Sequence, residues 1–194
     1  MADFTDLPEV QRVEQFVDAA SRLDETEFRR VHGEGFLVHY GTGGSLRRPA
    51  RPQATVLQLK EMTPSQPLLP MRELKANFLA YPVKWTGRSP YPRMITVGRT
   101  RNNDIVLPDE SVSKFHAFFR DSAMTSQALP GTFLVYDAGS RNGTTLDGRP
   151  VPVAKEGDAV LVRSGAKLRF GLVPLTFLDA PAFLGLVHQV KVGS

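Results

Sequence analysis

Three polar clusters, each following a predicted strand, hold the side chains of this sequence that are best suited to bind an anion. They occupy residues 97–100, 111–116 and 137–144. Basic side chains supply cationic donors, whereas serine hydroxyls and asparagine amides supply neutral ones. Loops at strand ends commonly carry binding residues. The donors in these clusters include Arg99, Ser113, Lys114, Arg141 and Asn142.

The distribution of charge also allows an anionic partner. The chain carries 24 Lys and Arg against 20 Asp and Glu, a formal charge of +4. Residues 72–101 contain seven bases and one acid, Glu73, and so form a basic stretch. Such a stretch can bind an anion, but a set of solvated surface cations is the commoner explanation. Charge alone leaves both interpretations open.

The elements that would position these clusters are short predicted strands. They recur about every ten residues after residue 71 and are separated by Gly, Pro, Asn and Asp, a pattern typical of a β-sandwich or barrel. The dipeptide Asp147-Gly148 tolerates positive φ and predicts a tight hairpin turn. The nine strands are predicted at 76–81, 94–98, 105–107, 115–120, 132–136, 144–146, 159–162, 167–170 and 175–178.

The first seventy residues have a different pattern, which predicts an α/β extension. Apolar residues recur at helical spacing between Val10 and Ala20, and Asp6 is a candidate cap for that helix. Asp24 caps a second predicted helix that ends at Gly33. Strands are expected at 36–40 and 54–60, and prolines in 63–70 mark a boundary. We therefore divide the chain into an extension with its linker (1–70), a β-domain (71–180) and a C-terminal tail (181–194).

Taken together, the clusters resemble the forkhead-associated (FHA) domain, a phosphothreonine-peptide recognition module. The resemblance covers about residues 76–178 and rests on Gly98-Arg99, Ser113-x-x-His116 and Asn142-Gly143, in the family's order. It implies a mainly β fold, an FHA-type sandwich of two antiparallel-rich sheets preceded by the N-terminal α/β extension.

The resemblance also implies a role for each donor. Arg99 and the Ser113 hydroxyl would contact the phosphate, and Lys114 would add a second contact. Arg141 stands where many members have a polar residue that helps to hold the phosphate, and Asn142 would hold the peptide backbone. A phosphothreonine carries about −1.5 to −2 charges and three acceptor oxygens, which such donors suit. Three further positions would shape the loops: Gly98, His116 and Gly143.

The remaining sequence gives no support for catalysis, a metal or a cofactor. The chain contains no cysteine, and its four histidines are scattered. The glycine-rich segment 41–45 lacks the Gly-Lys-Ser/Thr of a phosphate-binding loop. The acidic N-terminus lacks the features of a signal peptide, and no apolar run is long enough to span a membrane. A cytoplasmic protein that is not an enzyme is the expectation.

Two other functions stay open from the sequence. The donors could belong to a phosphate-independent scaffold on the same fold. Alternatively, the basic stretch could bind nucleic acid, with Tyr81, Trp85 and Tyr91 as stacking surfaces. The expected partner is a protein carrying phosphothreonine, a Ser/Thr kinase or its substrate, with no nucleic acid and no membrane involved.

Overall fold

Two β-sheets form the framework of the protein in the computed structural model, which describes residues 10–40, 78–122 and 131–191. The strands are β1 (Gln11–Arg12), β2 (Gly35–His39), β3 (Leu79–Pro82), β4 (Ile95–Gly98), β5 (Ile105–Val106), β6 (Ala117–Asp121), β7 (Phe133–Asp137), β8 (Thr144–Leu146), β9 (Arg149–Pro150), β10 (Val160–Val162), β11 (Lys167–Phe170) and β12 (Val173–Asp179). The α-helices are α1 (Val17–Arg22), α2 (Glu25–His32) and α3 (Ala180–Lys191).

The strands pair in two layers. One sheet has seven strands in the order β1-β3-β2-β12-β11-β8-β9, and the other has five in the order β10-β7-β6-β4-β5. Within the described ranges, β4 and β5 are the parallel pair among these strands, and the other pairings are antiparallel. The fold is therefore the predicted sandwich of two antiparallel-rich sheets. All nine strands predicted after residue 71 overlap an observed strand.

The main core lies between the two sheets, and the strand patterns explain why. In β7, Phe133 and Val135 are buried, while Leu134 and Tyr136 between them are only partly buried. This alternation places one face of the strand in the core and the other outside. Phe119 and Phe170, from opposite sheets, are both fully buried in the same core cluster, with their rings 6.2 Å apart.

A second apolar cluster covers the other face of the seven-stranded sheet. Phe36 of β2 stacks on Phe183 of α3, with their ring centroids 3.9 Å apart. Its neighbour Leu37 instead points into the main core. Strand β2 is therefore buried on both faces, and this accounts for its uninterrupted run of apolar residues.

Two predictions for the chain ends need correction. Residues 181–194 were expected to be a tail, but helix α3 occupies Ala180–Lys191. It forms because Phe183, Val187 and Val190 recur at helical spacing and pack in the second cluster. Near the N-terminus, the single helix expected from Val10 to Ala20 is instead the short strand β1, a 3-10 turn at Val13–Phe16 and α1.

Other local predictions are confirmed. The Asp24 carboxylate accepts a hydrogen bond from the Glu27 N–H at 2.8 Å, and α2 ends before Gly33, which has φ of 108°. Asp147 and Gly148 have φ of 48° and 80° between β8 and β9, as the hairpin turn requires.

Parts of the predicted extension lie outside the described residues. These are the candidate cap Asp6, the loop 41–45, the strand 54–60 and the boundary 63–70. The division at residue 70 stays a prediction. Strand β2, from the predicted extension, pairs with β3 on one side and β12 on the other, so it lies inside the seven-stranded sheet.

The described residues also bear on membranes and metals. In residues 10–40, 78–122 and 131–191, every helix is too short or too polar to cross a bilayer. The same ranges contain no group of three or more His, Asp or Glu residues arranged to hold a metal ion.

Candidate functional site

The first predicted donor, Arg99, follows β4 and is attached to the loop that precedes β6. Its backbone N–H donates to the Ser113 carbonyl at 2.9 Å, and its Nε donates to the Val112 carbonyl at 3.2 Å. The hydrogen bond from Nε thus orients the Arg99 side chain. Its two terminal nitrogens make no hydrogen bond or ion pair with any residue that the structure describes, so they are available to an external acceptor.

Ser113 joins this loop to the one after β7. Its Oγ accepts a hydrogen bond from the Arg141 backbone N–H at 3.0 Å. A hydroxyl that accepts in this way still has its own proton to donate. The contact therefore fixes the oxygen in place and leaves the O–H free for an anionic ligand.

Asn142 is held by the same loop. Its Nδ2 donates to the Ser111 carbonyl at 2.7 Å, and the residue is exposed. An amide group has two N–H donors and a carbonyl acceptor, so one donor and the Oδ1 remain free. Such a donor and acceptor pair suits the backbone of an extended peptide. Arg99 and Asn142 therefore lie on two loops that are both hydrogen-bonded to the segment 111–113, which contains Ser113.

His116 connects the loops from beneath. It is fully buried, its Nδ1 accepts from the Ser113 N–H at 3.0 Å, and its Nε2 lies 3.2 Å from the Gly143 carbonyl. Because Nδ1 must accept, the proton is on Nε2, which donates to that carbonyl. Burial lowers the pKa of His116, although the Gly143 hydrogen bond and the charge of Asp137 oppose the shift. The ring is therefore neutral and braces both loops.

This bracing predicts a loss of stability in acid. The folded-state pKa of His116 lies below its ordinary value of 6.5, so its stabilising contribution is present above that pH and is lost as the pH falls through the folded-state pKa. His32 and His39 are shifted in the same direction by burial. We expect the unfolding midpoint to drop between about pH 7.5 and about pH 5, measured by circular dichroism.

The variant His116→Gln distinguishes the contribution of His116 to this acid-induced loss of stability from those of His32 and His39. Glutamine has no proton to gain in this pH range, so the variant should have a smaller acid-induced drop in midpoint than the parent chain. An equal drop in both proteins would assign the pH dependence to other groups and contradict the bracing role.

Gly98 is required where β4 approaches the loop before β6. A Cβ at this position would collide with the Lys114 carbonyl and would lie 2.6 Å from the amide nitrogen of Asn103. Asn103 is itself buried and donates from Nδ2 to the Lys114 carbonyl at 2.7 Å and to the Thr100 carbonyl at 2.8 Å. Asn103 is thus a loop-holding residue to which sequence reasoning gave no role.

Asp137 is a second residue to which sequence reasoning gave no role, although it begins the cluster 137–144. This buried carboxylate accepts from the Ser140 N–H at 2.7 Å and from the Thr144 hydroxyl at 2.7 Å. Burial by itself raises the pKa of Asp137, but the hydrogen bonds from Thr144 and Ser140 and the nearby His116 outweigh it, so the pKa is lowered. The ionised carboxylate therefore shapes the turn before Asn142. Gly143, with φ of 71°, completes that turn.

Lys114 and Arg141 add positive charge beside these donors. Both are exposed, and each adjoins a residue already placed in the site, Ser113 in one case and Asn142 in the other. Neither side chain forms an ion pair with a residue in the described part of the chain. Together with Arg99, they give the site three cations, none of which forms an ion pair with a residue that the structure describes.

Sequence comparison identifies the same region. Residues 95–171 match the family model of the FHA domain. The glycogen accumulation regulator GarA of Mycolicibacterium smegmatis is 35% identical over 86 residues, which cover 44% of this chain and 46% of that protein. The oxoglutarate dehydrogenase inhibitor of Corynebacterium glutamicum is 36% identical over 87 residues, which cover 45% of this chain and 52% of that protein. The chain thus spans about half the length of these relatives.

The crystal structure of the FHA domain of the CT664 protein from Chlamydia trachomatis aligns with 21% sequence identity and a TM-score of 0.39, covering 53% of this chain and 86% of that one.

Proposed function

Because residues 95–171 match the family model of the FHA domain, we propose that the chain is a phosphothreonine-dependent protein–protein interaction module, a signalling adaptor that binds phosphothreonine peptides of partner proteins. The partner is a protein of a Ser/Thr kinase pathway, either the kinase or its substrate. The module acts by binding and has no catalytic role of its own.

One observation carries the proposal. Arg99, Ser113 and Asn142 are tied to a single segment by hydrogen bonds, yet each keeps unused donors. A phosphate dianion has acceptor oxygens for several donors at once. Arg99 can supply a bidentate, charge-assisted pair of hydrogen bonds, and the Ser113 hydroxyl can add a neutral one. Asn142 can then hold the backbone next to the phosphothreonine.

The surrounding charges support the same function. The cations Lys114 and Arg141 flank the donors, and no carboxylate in the described ranges pairs with them. Their field attracts a dianion, and phosphorylation of a threonine supplies one. The two curated relatives are named for a regulatory and an inhibitory role. We propose a role of this kind, which works through binding, for the present chain.

Peptide binding tests the proposal. Three otherwise identical peptides carry phosphothreonine, phosphoserine or unmodified threonine, and isothermal titration measures the binding of each. We expect micromolar affinity for the phosphothreonine peptide and none for the unmodified one. A buried γ-methyl contributes about 0.8 kcal/mol, so phosphoserine should bind at least about fourfold more weakly.

Two outcomes would assign another function. Equal binding of the phosphorylated and unmodified peptides would indicate a phosphate-independent scaffold. Tighter binding of DNA or RNA than of phosphopeptide, with a steep loss at higher salt, would indicate a nucleic-acid partner. Tyr81, one of the aromatic surfaces on which the nucleic-acid interpretation relied, is only 1% exposed and is not available for base stacking.

A further inference from the structure

An uninterrupted row of stacked aromatic rings begins beside the candidate site, and we call it the aromatic strip. It consists of Tyr91, Phe115, Phe118 and Tyr136. The ring centroids of Tyr91 and Phe115 are 5.9 Å apart, those of Phe115 and Phe118 are 6.2 Å apart, and those of Phe118 and Tyr136 are 4.7 Å apart. All three pairs are near parallel, with interplanar angles of 20°, 22° and 12°.

The end of the strip nearest the candidate site is open to solvent. Tyr91 is 49% exposed and Phe115 is 37% exposed, whereas Phe118 is buried beneath its neighbours. Stacked aromatic rings exposed together are costly to leave in water, and contiguous apolar surface of this kind marks interaction sites.

The strip includes Phe115, which belongs to the candidate-site loop 111–116. Phe115 lies between Lys114, whose side chain is exposed, and His116, whose ring is fixed by hydrogen bonds to Ser113 and Gly143. The backbone on both sides of Phe115 is thus held in place. Phe115 therefore lies two residues along the chain from Ser113, whose hydroxyl is proposed to bind the phosphate.

Strand register places the rest of the strip on the outer face of the five-stranded sheet. Phe118 of β6 pairs with Tyr136 of β7, and both neighbours of Phe118 in the strand, Ala117 and Phe119, are buried in the main core. The Arg120 guanidinium lies 5.5 Å from both the Phe118 and the Tyr136 ring centroids.

Two cations adjoin the strip. Lys114 precedes Phe115 in the chain, and the Arg120 guanidinium lies against the Phe118 and Tyr136 rings. Within the described ranges, neither side chain has a carboxylate partner. A ligand that covers the strip would bring apolar groups to the rings and would find two positive charges that a carboxylate can pair with.

From this position and charge, we propose that the aromatic strip binds the segment that flanks the phosphothreonine in the partner protein, and that it selects a large apolar residue adjacent to an acidic one. The proposal rests on the proposed phosphothreonine-dependent function. The strip thereby determines which phosphorylated proteins bind, because the phosphate alone is common to all of them.

The length of an extended peptide fits this arrangement. An extended chain advances about 3.3 Å per residue, so two residues cover the 6.2 Å between Phe115 and Phe118. An apolar side chain over Tyr91 and Phe115 would displace water from their exposed faces, and a neighbouring carboxylate would then be able to reach Lys114 or Arg120.

A phosphothreonine peptide library is the probe that tests the proposal. Its members share a central phosphothreonine with about seven residues on each side, each flanking position being fixed in turn as Ala, Leu, Phe, Asp or Lys. The full chain and the variants Phe115→Ala and Tyr91→Ala are compared by fluorescence anisotropy. We expect the parent to prefer Leu or Phe over Ala at one flanking position by roughly three- to tenfold, and Asp over Lys next to it.

The variants should lose this preference while still binding the all-alanine-flanked phosphothreonine peptide as the parent does. The matched control is Trp85→Ala, which removes a ring that is 54% exposed and makes no ring contact with the strip in the described structure; it should keep the preference. Thermal unfolding checks each fold, and Tyr91→Ala alone decides the result if Phe115→Ala does not fold.

The outcomes separate the two proposals. A parent that binds phosphothreonine peptides but shows no apolar preference, or variants that retain it, would overturn the role of the strip and leave the phosphate site intact. A preference lost equally in Trp85→Ala would also overturn it. A parent that binds phosphorylated and unmodified libraries equally would overturn the proposed function, and with it this role of the strip.

Discussion

Replacement of Arg99 with alanine should weaken binding of a phosphothreonine peptide by roughly 10- to 150-fold, because hydrogen bonds to a charged group contribute about 1.5–3 kcal/mol. A peptide that binds the parent at micromolar concentration would then give almost no signal in isothermal titration. The unfolding midpoint should change little, because Arg99 is exposed and its side chain donates, within the described residues, only to the Val112 carbonyl.

Two further variants make the Arg99 result specific. Arg99→Lys keeps the charge but lacks the planar pair of donors, so it should recover only part of the affinity. Arg101→Ala removes a cation from the same loop, where the side chain is exposed, and should bind nearly as tightly as the parent. If Arg99→Ala binds as tightly as the parent, or if Arg101→Ala loses as much affinity, the phosphate contact has been assigned to the wrong residue.

Replacement of Gly98 with alanine should destabilise the domain and remove peptide binding together. The new Cβ would collide with the Lys114 carbonyl, which is backbone and cannot rotate away, and would crowd the Asn103 amide. Overpacking of this kind costs about 1–3 kcal/mol. For a protein of this size the unfolding midpoint should fall by roughly 2–12 °C. Binding should fail because the hydrogen bond from the Arg99 N–H to the Ser113 carbonyl would be displaced.

Gly185→Ala is the matched control for this substitution. Gly185 is exposed on α3, and apart from its chain neighbours and the backbone of its own helix, no described atom lies within 4 Å of the position that its Cβ would take. Alanine is favoured over glycine inside a helix by about 0.5–1 kcal/mol, so the midpoint should stay the same or rise. Scanning calorimetry measures both variants. An unchanged midpoint for Gly98→Ala would show that β4 and the Lys114 loop can separate without cost.

The sequence was sufficient to predict the sandwich and several of its turns. Short strands separated by regularly spaced turn residues are typical of few folds besides a sandwich or barrel. The turn at Asp147-Gly148 follows from the tolerance of these two residues for positive φ. Asp24 was predictable as a helix cap because its carboxylate accepts from the N–H of Glu27, only three residues further along the chain. By contrast, the two-sided burial of β2 depends on α3, which follows it by more than a hundred residues. The run Phe36-Leu37-Val38 indicates a strand but not what covers each face.

The candidate site shows the same division between local and long-range information. Arg99, Ser113 and Asn142 could be proposed from their types and order, and the structure brings their loops together. Asn103 and Asp137 could not, because each belongs to a type that turns use routinely. Only the structure shows that Asn103 holds the Lys114 carbonyl and that Asp137 is buried as a carboxylate. Residues that support a site are thus harder to predict than residues exposed in it.

The place of β2 between β3 and β12 means that the unit able to fold is larger than the stretch recognisable by family resemblance. A fragment limited to 95–171 would lack β2, β3 and β12, and β11 would lose its partner on that side. The N–H and C=O groups of β11 would then face water, or another molecule's edge strand, which is a common route to aggregation. The hydrophobic clusters on both faces of the seven-stranded sheet pack the segments before and after the candidate-site loops against it, so a fragment designed to fold should include these segments.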